Sequence, residues 1–207
     1  MEAAQTRVLQ QLSVCDFTKL VDSCEELELA IQEEVFDAPA AEQLDNIGAL
    51  YAIHLLAYLL EGRLNAARFL WKRTPAAVQQ QPQPLAAHEA LAALWQRKHA
   101  EFFRHLRAGP WDARLQVLAA EVASRGRHQL LNEIGDAYEV ITVERLAAIL
   151  GVDIAEAQEA CAERNWGVDA TGHASPIPVK TSKDLMQMGE AQLKKLAKYV
   201  AYLEQPQ

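Results

Sequence analysis

Residues 43–60 form an apolar stretch with no polar face of helical width. Leu44, Ile47, Leu50, Tyr51, Leu55, Tyr58 and Leu59 recur around nearly the whole helical circumference. A helix of this kind must be covered on more than one side. Its cover has to come from further helices, because the flanking sequence carries helical and not strand periodicity.

Phe17, Leu20, Val21, Cys24, Leu27 and Ile31 repeat at amphipathic spacing, with Asp16 as the expected N-cap. Ala38-Pro39 breaks the chain before residue 43, and Gly62 supplies a helix C′ position after residue 60. Another helix begins at Leu64. Residues 79–84, rich in glutamine and proline, predict an irregular linker. Helical spacing returns with Leu85, His88, Leu91, Leu94 and Trp95, and again with Phe102, Phe103 and Leu106. Ala108-Gly109-Pro110 breaks that run, and residues 111–124 form the next helix. Short helices joined by short turns predict a solenoid-like helical stack over residues 1–125. No strict repeat period is present, so a tetratricopeptide array is not supported.

The pattern changes after Arg125-Gly126-Arg127, which is read as a break. Residues 130–138 predict one helix. Ile141-Thr142 predicts a short strand and a cap for a helix over 143–150, and Gly151-Val152 turns the chain. Asp153-Ile154-Ala155-Glu156 has the form of a capping box and opens a helix to about residue 165. Residues 166–169 and 177–179 are the strand-like segments, with 170–176 between them as a loop. Helix, helix, turn, helix and a two-strand ribbon is the order of a winged helix, placed at 126–180. After a linker, Leu193, Leu196, Val200 and Leu203 form a coiled-coil-like seam over 189–204, widened by Tyr199 and Tyr202. A tethered helix with a narrow apolar seam calls for partner helices.

Charge is unevenly spread within the net −8. Residues 1–61 carry 12 acids and 2 bases, whereas residues 62–114 carry 3 acids and 9 bases. Either these segments face each other, or solvent, within one fold, or one faces a partner chain. The overall acidity argues against a dedicated nucleic-acid binder. So does the second helix of the winged-helix order, where Asp153, Glu156, Glu159 and Glu163 face Arg164 alone. No apolar run reaches membrane-span length, and the N-terminus lacks the pattern of a signal peptide. Cys15, Cys24 and Cys161 have neither disulfide nor metal spacing, which fits a reducing compartment. The six histidines are scattered; His99 and His105 are too far apart to share a helix face as a ligand pair. No phosphate-cradling glycine loop and no nucleophile–base pattern is present. Catalytic, cofactor and metal residues are accordingly expected to be absent, and the chain is expected not to be an enzyme.

One segment is more specific. Asn65-Ala66-Ala67-Arg68-Phe69-Leu70-Trp71-Lys72-Arg73-Thr74-Pro75 reads as a helix end running into a proline stop. Its inner face carries aromatics and its outer face carries cations. Phe69 and Trp71 are expected in the core. For Arg68, Lys72 and Arg73, a solvated face and a partner contact both remain open. This segment resembles the signature of the eighth-subunit family of the COP9 signalosome, within the PCI class. Leu94-Trp95 and Trp111 sit where that family has later tryptophans. Asn165-Trp166-Gly167-Val168-Asp169 resembles its Gly-Trp-x-x-Asp turn, with Asn165 in place of Gly. Residues 196–204 resemble its C-terminal ending.

The resemblance implies a mainly α fold: a helical-repeat arm (1–125), a winged helix (126–180), then a linker and C-terminal bundle helix (181–207). It implies a non-catalytic scaffold subunit, without cofactor, of the complex that removes the ubiquitin-like modifier Nedd-eight from cullins. Its partners would be other signalosome subunits and, indirectly, cullin-RING ligases, in nucleus and cytoplasm. Leu193, Leu196, Tyr199, Val200 and Leu203 would form the bundle interface. Arg68, Phe69, Trp71, Lys72, Pro75 and Trp166 would be signature residues of the core. A PCI subunit of the proteasome lid or of a translation initiation complex is the alternative.

Overall fold

The computed structural model describes residues 2–14, 19–34, 41–177 and 197. Asp16, Phe17, Ala38-Pro39 and the C-terminal seam lie outside these residues. The chain forms α1 (Glu2–Val14), α2 (Leu20–Glu34), α3 (Ala41–Leu60), α4 (Leu64–Arg73), α5 (Ala76–Gln79), α6 (Pro82–Trp95) and α7 (His99–Ala108). It continues through α8 (Ala113–Ala137), β1 (Ile141–Thr142), α9 (Val143–Leu150), α10 (Ile154–Glu163), β2 (Gly167–Val168) and β3 (His173–Ser175). The architecture is mainly α with a small antiparallel sheet.

The all-round apolar helix α3 is the centre of the stack. It packs against α2, α4, α5, α6 and α8, and Leu55 and Leu56 are fully buried. A 3.6-residue repeat with no polar stripe can be satisfied only by neighbours on several sides, and the fold supplies them. α6 and α7 pack against each other, and α7 reaches both α8 and α9. The sheet has strand order β1-β3-β2, both pairings antiparallel, with Ile141 opposite Ala174 and Gly167 opposite Ser175.

Three expectations about element boundaries need correction. The break at Arg125-Gly126-Arg127 does not exist, since α8 runs unbroken for 25 residues. Gly126 is tolerated in mid-helix because the rings of Phe102 and Phe103 occupy its side-chain space. An added Cβ would lie 3.3 Å from one and 3.5 Å from the other. The linker at 79–84 is also structured. Gln80 and Gln81 alone separate α5 from α6, and Pro82 opens α6, where a missing N–H costs nothing. The side chain of Gln79 donates to the carbonyls of Trp71 and Thr74 at 2.8 and 3.0 Å, closing the end of α4. Finally, the third strand is His173–Ser175, inside the segment read as loop. Ile177 is not in a strand, and residues 178–179 lie outside the described residues.

Helix ends follow local chemistry. Asp112 caps α8 by accepting from the amides of Arg114 and Leu115, and Thr142 caps α9 by accepting from Arg145. Asp153 holds the backbone geometry of an N-cap without a side-chain bond, so the expected capping box does not form. Helices α3, α6 and α10 close through the same C-terminal pair of bonds, and α9 through donation from both Gly151 and Val152 to the Ala147 carbonyl, each with one residue in the left-handed region. At the end of α3, Arg63 donates to Tyr58 and Gly62 to Leu59. The left-handed positions are Gly62, Arg97, Gly151 and Asn165. Glycine fits there without steric cost and asparagine is the next best tolerated residue. Asn165 thus stands where a glycine would be equally at home.

Candidate interaction surfaces

The structure brings the oppositely charged segments together at specific points. Arg73 of α4 makes a bidentate pair with Glu28 of α2, at 2.8 Å for each bond. Arg63 pairs with Glu25 at 3.2 Å and lies over the Tyr58 ring, whose hydroxyl donates to Glu25. Arg7 of α1 pairs with Glu26 at 2.6 Å. Two of the basic segment's arginines therefore clamp α2 to the stack. Buried beside them is His54, with Nδ1 3.9 Å from Glu28 and Nε2 without a hydrogen-bond partner. Burial lowers the His54 pKa to about 4, assisted by Arg73 and Arg63 against the opposing pull of Glu25.

The rest of the basic segment behaves differently. Arg68 lies 5.1 Å over the ring of Trp95, and Lys72 lies 5.8 Å from the ring of Phe69. Neither makes a carboxylate pair among the described residues. Phe69 is 55% exposed and Trp95 47% exposed. The expected core placement of Phe69 is therefore wrong. On α4 the buried face is set by Ala67, Leu70 and Thr74, and Phe69 projects from the opposite side. Arg68, Lys72 and Pro75 are also exposed. Trp71 is half-buried and stacks on His88 of α6 at 4.1 Å, with the planes 11° apart. Trp166 is buried, with its ring close to Gly135 of α8. Trp111 donates to the Leu106 carbonyl at 2.7 Å.

Beside Trp95 a cleft of about 380 Å³ opens between α3, α6, α7 and α8. Leu59, Leu64, Leu94, Phe102 and Leu130 contribute to its lining, and its polar members are Arg97, His99, Arg125, Gln129 and Glu133. A shallower groove past Arg63 and Asn65 shares Gly62, Leu64 and Trp95 with it.

On the sheet side, α10 exposes Glu156, Glu159 and Glu163. Arg164 is turned inward, donating to Asn132 and to the His128 carbonyl. The order β1-β3-β2 leaves one side of β1 and one side of β2 unpaired within the sheet, with Val140 and Val168 exposed next to them. Cys24 and Cys161 are buried free thiols, the former pushed well above the usual range by burial. Among the described residues, no group of three or more His, Cys, Asp or Glu side chains is arranged to hold a metal ion. No described helix is long and apolar enough to cross a membrane.

These features define a helical-stack protein whose conspicuous groups are surfaces and interhelical ion pairs. The chain belongs to the CSN8/PSMD8/EIF3K family, whose model matches residues 45–184. It is 31% identical to COP9 signalosome complex subunit 8 of Xenopus laevis, over 95% of this chain and 96% of that protein. To the Arabidopsis thaliana protein of the same name it is 29% identical, covering 95% and 97%. To that of Dictyostelium discoideum it is 23% identical, covering 97% and 98%.

Proposed function

We propose that the chain is a non-catalytic assembly subunit of a COP9 signalosome, the complex that removes Nedd-eight from cullins and so tunes cullin-RING ligases. The observation that carries this reading is the end-to-end likeness to proteins named as subunit 8 of that complex. Proteasome-lid and initiation-factor subunits share the family description, but the relatives spanning this chain's length bear the signalosome name.

In this reading residues 1–125 are a helical arm and residues 126–180 a winged helix, joined through α8. The succession α8, β1, α9, α10, β2, β3 supports the winged-helix assignment. The acidic outer side of α10 would repel phosphate, which favours a protein partner over a nucleic acid. The free sides of β1 and β2 offer backbone groups for strand addition by a neighbouring subunit. The seam of Leu193, Leu196, Tyr199, Val200 and Leu203 enters a bundle with helices of other subunits. Activity lies elsewhere in the complex, in nucleus and cytoplasm.

Affinity purification of the tagged chain tests this: cullin-directed isopeptidase activity should co-purify with it. Recovery of proteasome-lid or initiation-factor subunits without that activity would replace the reading.

A further inference from the structure

We infer that the cleft beside Trp95, together with the cation–aromatic strip of α4, is a docking site for an acidic amphipathic peptide segment of another protein. Three observations converge on it.

The first is exposure of the wrong kind of residue. Phe69 and Trp95 are the phenylalanine and tryptophan side chains exposed by more than a third among the described residues, and both lie on this face. Arg68 over Trp95 and Lys72 beside Phe69 link them into one strip, because positions 68 and 72 are one helical turn apart. Large aromatics flanked by cations are the usual anchors of a protein interface.

The second is charge. Arg68, Lys72 and Arg97 have no carboxylate partner among the described residues, in a protein of net charge −8. The neighbouring Arg63 and Arg73 are already paired with α2. The unengaged cations therefore complement an acidic ligand. Beneath them the cleft presents Leu59, Leu64, Leu94 and Leu130, which fit leucine- or phenylalanine-sized side chains. Leucine side chains dominate the apolar lining and the Phe102 and Phe103 rings in it are buried, which suits an amphipathic peptide better than a base-stacking nucleic acid.

The third is backbone strain at a useful place. Arg97 closes α6 with φ of 57°, its amide donating to Leu94 and that of Lys98 to Ala93. Three other helices of this chain end with Gly or Asn at the left-handed position. Arginine there is sterically disfavoured and gains nothing in the cap. It places a guanidinium in the lining of the cleft. A strained residue with no structural return marks a functional position.

The site does not depend on the assembly reading above and is tested without the complex. The full-length protein is titrated by fluorescence anisotropy against a labelled helical probe of about four turns. The probe has Leu or Phe on one face and Glu elsewhere; controls replace Glu by Lys, or are oligouridylate. The Glu probe should bind, the controls should not, and added salt should weaken binding. Arg97→Gly should melt at the same or higher temperature and yet bind roughly fivefold to tenfold more weakly. Arg68→Ala with Trp95→Ala should lose at least about tenfold. Equal binding of the Lys probe, preference for oligouridylate, or unchanged affinity in Arg97→Gly and in the double variant would overturn the site. So would self-association abolished by Trp95→Ala. Co-purification with the isopeptidase is unaffected by any of these results, so the two readings fail separately.

Discussion

Arg73 in α4 holds Glu28 in α2 through two parallel bonds of 2.8 Å, with the carboxylate buried and the guanidinium half in solvent. The pair ties the acidic second helix to the basic fourth, 45 residues apart in sequence. Removing the cation alone takes two charge-assisted bonds from a buried carboxylate, which is the costly way to break such a pair. Arg73→Met should destabilise by about 2 kcal/mol in urea denaturation. Glu28→Met with Arg73→Met should cost less than Arg73→Met alone. A double variant as unstable as the sum of the singles would show that the two groups do not act together.

His54 makes stability depend on pH in a predictable direction. Its folded pKa of about 4 lies below the ordinary value of 6.5, chiefly through burial. The unfolded chain takes up this proton first, so stability at neutral pH falls as pH drops from about 6.5 towards 4, then levels off. His54→Leu should flatten that part of the profile relative to the parent. Glu25, Glu28, Arg63 and Arg73 remain in both proteins, so the difference between the two curves isolates the imidazole. Superimposable slopes would refute the assignment.

Phe69 and Leu70 are adjacent and should behave oppositely. Leu70 is fully buried, and Leu70→Ala should cost about 3 kcal/mol. Phe69→Ala, on the exposed side of α4, should cost within about 0.5 kcal/mol. Thermal denaturation of both variants checks this; a comparable loss in each would return Phe69 to the core.

Much of this was legible in the chain. The all-round apolar residues of α3 demanded a central helix, and Thr142 stood at a true helix start. Phe69 was misplaced although a signal existed: Ala67, Leu70 and Thr74 follow helical spacing that leaves it on the far side. The continuity of α8 was not legible, because what makes Gly126 acceptable is the arrival of Phe102 and Phe103 from another helix. β3 is three residues long, and its pairing with both β1 and β2 is a tertiary fact that no short-range pattern carries. Arg97 in a left-handed cap is likewise invisible to a sequence rule that looks for glycine.

The caps give a graded test. Asn165→Gly should be neutral or slightly stabilising, and Asn165→Ala should cost about 1 kcal/mol. Gly151→Ala should cost more than that. Besides its φ of 62°, an added Cβ would come within 3.1 Å of the Ala100 backbone. Melting temperatures in the order Gly151→Ala below Asn165→Ala below the parent are expected.

The C-terminal seam is tested through assembly. Leu196→Asp with Val200→Asp should weaken incorporation into the complex, measured by co-purification. The unfolding transition of the isolated protein should be preserved. Loss of that transition would mean that the seam belongs to the protein's own core.

α8 carries one consequence beyond packing. At 25 residues it spans about 37 Å without a joint. Its first half is wedged in the stack and its last turns lie under Trp166. A load applied at the sheet is therefore felt as torque at the helical end rather than absorbed at a hinge. The helix is a rod of fixed length that sets the separation of the helical stack from the sheet.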